Sequence, residues 1–146
     1  STPSYAVRGR DVPPDESERA IADGLAATLD AVAGRPVALL LGVPEPGFDV
    51  PAVSAAGVLF GRTTPDGPSR EAWLAGRRST DDMLAPVLAG RPEVEVFDPA
   101  TILCADGRCR HTLDGEPLFV DRDHPSRAGA RLIAPIFADF LARRAK

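Results

Sequence analysis

The sequence has 146 residues, 44% of them hydrophobic and 26% charged, with a formal net charge of -4. That is enough chain for one domain with a real core, read as a single domain over residues 1–146, and the composition excludes wholesale disorder. The negative balance gives no broad attraction to nucleic acid, so no nucleic-acid partner is expected, and no apolar run approaches the ~20 residues that span a bilayer.

Residues Ser1 to Pro14 carry turn formers and little periodicity, and read as an extended entry segment with Tyr5 and Val7 as anchors. The chain opens at Ser1-Thr2-Pro3 without an initiator methionine, so sequence upstream of it is expected. A helix is predicted from about Asp15 to Ala33, because acidic residues suit its first turn and Ile21, Leu25, Leu29 and Val32 recur at helical spacing. Gly34 stops it. Pro36 to Val43 is a continuous apolar run of the kind a parallel strand shows when helices cover both its faces.

Residues Phe48 to Pro68 are rich in Gly, Pro, Ala and Thr, and read as a long irregular excursion with a short apolar piece at Val58-Leu59-Phe60. A second helical region follows from Ser69 to Leu88, with Trp73, Leu74, Met83, Leu84, Val87 and Leu88 facing inward and Gly76 and Pro86 as interruptions. Trp73 is assigned to the core rather than to stacking on a sugar. Glu93 to Phe97 alternates and forms a short strand ending at Asp98-Pro99.

Cys104 and Cys109 are the only cysteines, separated by the turn-forming Ala105-Asp106-Gly107-Arg108. A hairpin-like turn brings two such residues into disulfide range, so a local disulfide and an oxidising compartment are expected. Two reduced thiols are the alternative; zinc lacks a second pair of nearby ligands. His111, with no carboxylate at a useful spacing, is read as surface. A polar turn is predicted at Asp114-Gly115, then a short strand ending at Asp121, and a last amphipathic helix from Ser126 to about Arg144, buried through Leu132, Ile133, Ile136, Phe137, Phe140 and Leu141.

Asp121 precedes His124 by three residues on the loop before that helix. At this spacing a carboxylate accepts a hydrogen bond from one imidazole nitrogen and leaves the other as a base. The bland alternative is two solvated side chains in a loop. Asp123 is a rival partner, ranked second because adjacent side chains generally point apart.

Asp121-x-x-His124 resembles the last conserved block of the SGNH hydrolase superfamily. Leu103-Cys104-Ala105-Asp106-Gly107-Arg108-Cys109, the run Asp114 to Asp121, His124-Pro125-Ser126 and Gly129-Ala130 together resemble, more narrowly, the SGNH domain fused to membrane acyltransferase-3 proteins. The resemblance covers roughly Asp11 onward, and Pro125 departs from the leucine usual after the histidine. It implies an α/β fold, a three-layer α/β/α sandwich with a parallel sheet of which the C-terminal portion is present. It also implies a Ser-His-Asp site with His124 as base and Asp121 as orienter, no cofactor and no metal.

The family's nucleophile is a serine in a Gly-Asp-Ser block, and none of the chain's seven serines has that setting. The sequence also contains no Asn, so the asparagine oxyanion donor of the family cannot be matched. The leading functional expectation is therefore the C-terminal part of an O-acyltransferase domain that moves acetyl or similar groups from an acyl donor to a glycan or cell-envelope acceptor. It would stand on the extracytoplasmic face of a bacterial membrane, behind an upstream transmembrane acyltransferase domain. The alternatives are a fragment of a secreted SGNH esterase and a non-catalytic interaction domain without a nucleophile.

Overall fold

A computed structural model describes residues 6–7, 10–11 and 13–144. In chain order its elements are β1 (Ala6–Val7), β2 (Arg10–Asp11), α1 (Pro14–Ala31), β3 (Val37–Leu40), α2 (Val50–Phe60) and α3 (Arg70–Leu88). They continue with β4 (Val94–Phe97), α4 (Ala100–Leu103), β5 (Thr112–Leu113), β6 (Glu116–Pro117), α5 (Arg127–Ile133), a 3-10 turn (Ala134–Phe137) and α6 (Ala138–Ala142). The fold is thus mixed helix and strand. The expected anchors Tyr5 and Val7 lie outside the residues whose side chains are described.

The contacts divide the chain into two units, Ser1–Val37 with Gly76–Glu95, and Ala38–Ala75 with Val96–Lys146. In the first, β1 and β2 pair antiparallel. Helix α1 opens with Pro14 at its first position, where a missing N–H costs nothing, and Asp15 and Glu16 occupy the positive end of its dipole. Gly34 follows the helix in a left-handed conformation, φ 79°, as the stop signal requires. Leu29 is buried, and Asp30 pairs with Arg91 at 2.7 Å. Helix α3 stays continuous through Gly76 and Pro86, although Pro86 has no N–H to donate to the carbonyl one turn back.

Strands β3 and β4 form a small parallel sheet: Val37 N–H donates to Glu93 O and Leu41 N–H to Phe97 O, both at 2.9 Å. The expected strand covered on both faces is corrected here. Val37 and Leu39 are half-buried while Ala38 and Leu40 are exposed, an alternation that marks one covered face and one open one. Among the described residues β4 is the only strand paired with β3.

The core of the second unit gathers Val50, Ala100, Leu103, Cys104, Cys109, Leu118, Phe119 and Ile133, with Val43, Phe48 and Trp73 packed against it. Trp73 is thus a core contact. Phe97 packs at a tilt against Phe137 and edge-on against Phe140, with ring centroids 4.7 and 5.8 Å apart. Asp114 and Gly115, at φ 50° and 82°, make the tight turn between β5 and β6.

Three expectations are overturned in this unit. The irregular excursion contains an eleven-residue helix, α2: the Asp49 carboxylate accepts from Ala52 N–H at 2.8 Å, Pro51 stands in the first turn, and Gly61 ends it in the left-handed conformation. The strand leading to Asp121 is absent; Leu118-Phe119-Val120 is one side of a narrow loop with a single bridge, Phe119 to Pro125. The last helix breaks into α5, the 3-10 turn and α6, because Pro135 has no N–H to give an α-helix.

Replacing Asp49 by Ala removes the α2 cap and should cost about 1 kcal/mol, read as a lower urea midpoint. Asp49→Asn, which keeps an acceptor, should cost less.

Candidate active site

The loop from Leu118 to Ser126 folds back on itself through backbone pairing. Ser126 N–H donates to Leu118 O at 2.8 Å and Val120 N–H to His124 O at 2.9 Å. The loop is anchored on three sides: Leu118 N–H donates to His111 O at 2.9 Å, Val50 N–H to Asp121 O at 3.4 Å, and the Ser126 hydroxyl to Pro117 O at 2.7 Å. Ser126 Oγ also accepts from the N–H groups of Ala128 and Gly129, so this serine is the N-cap of α5. Gly129 has no room for a side chain, since an added Cβ would lie 2.2 Å from Leu118 O.

At the tip, Asp121 Oδ1 accepts from the N–H of Asp123 at 3.0 Å and of His124 at 2.8 Å. That turn leaves Oδ2 2.8 Å from His124 Nδ1. Asp123 Oδ1 lies 2.9 Å from the same nitrogen. The reason for ranking Asp123 second, that neighbouring side chains diverge, does not hold on a turn this tight. The imidazole is open to solvent, its side chain 73% exposed.

The electrostatics follow from these contacts. The two backbone donors, with the imidazole beside them, hold the Asp121 carboxyl far below the usual carboxylate range. Asp121 first, and Asp123 with it, raise the His124 pKa above 6.5. The raised histidine contributes stability below its unfolded value that is lost as pH rises through its folded one; the depressed aspartate contributes above its unfolded value and loses it as pH falls through its folded one. The pair therefore supports the loop most fully between the ordinary values of 3.8 and 6.5.

Asp121, Asp123 and His124 also offer ligand atoms within 4.8 Å of one another. In the structure one oxygen of each carboxylate lies beside the imidazole Nδ1.

Cys104 and Cys109 form a disulfide, with Cα atoms 3.9 Å apart. The bond closes a small loop beside the site: Cys109 N–H donates to Pro68 O and Arg70 N–H to Gly107 O, each at 2.8 Å. His111 is not on the surface, as the sequence reading has it. It is 9% exposed, packs edge-on against Phe48 at 5.0 Å, and its buried Nδ1 has no hydrogen-bond partner among the described residues. Burial lowers its pKa, against the opposing charge of Asp66. No local signal announces this, since Phe48 is distant in sequence.

The family model for the SGNH domain (fused to AT3 domains) matches residues 2–139. The chain belongs to this SGNH family. The match begins upstream of Asp11, so the SGNH resemblance extends over nearly the whole chain. No curated protein and no solved structure matches it. No helix among the described residues of the SGNH chain is long and apolar enough to cross a membrane.

His111 and His124 are the only histidines. Their imidazole C–H resonances in a pH titration followed by NMR should have midpoints on opposite sides of 6.5, His111 below and His124 above. Gly129→Ala should push α5 off the Leu118 carbonyl and destabilise the domain by about 1–3 kcal/mol or more, with the His124 resonance displaced along with the melting temperature.

Proposed function

We propose that this SGNH domain supplies the general base, His124, and its orienter, Asp121, for an O-acyltransferase that moves acetyl or similar acyl groups onto glycan hydroxyls. The observation that carries the reading is the 2.8 Å contact between Asp121 and His124 Nδ1 on an exposed, backbone-locked loop, in a chain of the family fused to AT3 domains. Asp121 keeps the proton on Nδ1, so Nε2 is the nitrogen that acts as base.

Chemistry of this kind requires a serine, which the proposal places outside residues 1–146. Ser126 is occupied as a helix cap, and Ser69 accepts from Ala72 N–H at 3.0 Å in the same role at α3. In the first half-reaction Nε2 removes the proton from the serine hydroxyl as its oxygen attacks the donor's acyl carbon, and then gives that proton to the departing group. In the second half, an acceptor hydroxyl loses its proton to Nε2 as it attacks the acyl-serine, and the serine oxygen takes the proton back. Asp121 stabilises the imidazolium in both halves.

The disulfide favours an extracytoplasmic site, since such bonds persist in oxidising compartments. The upstream partner would be a membrane-embedded acyltransferase domain that presents the acyl donor. The parallel pair β3–β4 would be part of a three-layer α/β/α sandwich, because parallel sheets are stable when more strands and helices on both faces cover them.

In the full-length protein, His124→Ala should lower acyl transfer by about 10³-fold or more with little loss of thermal stability, because the imidazole is a loop group outside the core. Residues 1–146 alone should not label with a serine-reactive phosphonate. Full transfer activity in His124→Ala, or stoichiometric labelling of the isolated chain that depends on His124, would reject the assignment.

A further inference from the structure

We infer that Asp123 is a second positioning carboxylate for His124, acting as a charge beside the Nδ1–H that Asp121 accepts; this rests on the reading of His124 as the base. Both carboxylates stand close to the nitrogen, at 2.8 and 2.9 Å, but only Asp121 has the geometry of a hydrogen bond; Asp123 meets the ring as a charge beside it. The two carboxylates arrive by different routes. Asp121 is fixed by two backbone amides through Oδ1, whereas Asp123 is the residue immediately before the histidine and is carried by the same turn.

The arrangement differs chemically from a single-carboxylate dyad. With a neutral imidazole the cluster carries two negative charges; when the ring takes a proton it carries one. Protonation of the ring therefore relieves repulsion between the carboxylates as well as adding an attraction. The imidazolium formed in each half-reaction is stabilised twice, and the ring is held with its Nδ1 toward the loop from two directions. The cost is at the acid side, since a base with a raised pKa is neutral in a smaller fraction of molecules at a given pH. Removing Asp123 should thus move the acid limb of the pH–rate profile to lower pH.

The test needs no turnover. In residues 1–146, His124 is titrated by NMR in the parent and in the Asp123→Asn, Asp123→Ser and Asp121→Asn variants, with His111 as an internal control of folding. The His124 midpoint should fall in both Asp123 variants, by less than in Asp121→Asn, and the ¹⁵N shifts of the neutral ring should show a smaller share of the Nδ1–H tautomer. The His111 midpoint should stay in place. Asp123 variants with the parental His124 midpoint and tautomer, alongside an Asp121→Asn variant in which both change, would overturn the inference. That result would leave the role of His124 as base untouched, and loss of that role would leave the titration unchanged.

Discussion

The candidate site depends on a single close passage, the start of α5 over the carbonyl of Leu118. That carbonyl accepts the Ser126 N–H, and only a residue without a side chain at position 129 lets the helix come near enough for Ser126 to cap it. Closing the loop at its base in this way leaves few conformations for the residues between. Asp121 then satisfies the two backbone donors at the tip, and the histidine is delivered to its partners by the chain's own hydrogen bonding. The side-chain pair adds little stability where water competes for it; the backbone determines where it forms.

The disulfide and the buried histidine act on the same loop from behind. His111 contributes its main-chain carbonyl to Leu118, while its ring fills the space beside Phe48 and close to Gly67. The bond between Cys104 and Cys109 closes too short a loop to restrict the unfolded chain greatly. Its effect is local, holding the turn whose Gly107 carbonyl accepts from Arg70 N–H. The side of the loop that carries His124 is thus exposed and polar, and the side that supports it is buried.

Much of this was legible where the governing physics is local. An aspartate three residues before a histidine, an Asp-Gly turn, a glycine at a helix end and two cysteines around a turn each carry their geometry within a few residues. The failures have two sources. Helix α2 is apolar nearly all round, so it offers no periodicity to read, and Pro51 and Gly57 look like breakers although a proline in the first turn of a helix is favourable. The burial of His111 and the open face of β3 depend on residues far away in sequence. Pro135 was a local signal, and its effect on the final helix follows directly from its missing N–H.

One end of α2 is the Val50 N–H that holds the Asp121 carbonyl; the other presents Val58, Leu59 and Phe60, 87%, 72% and 72% exposed. An eleven-residue helix is about 16 Å long and stiff along its axis. The same short helix thus has one end tied to the backbone of the histidine loop and the other standing bare in solvent, so its two ends answer to different constraints: the first to a buried hydrogen bond, the second to water.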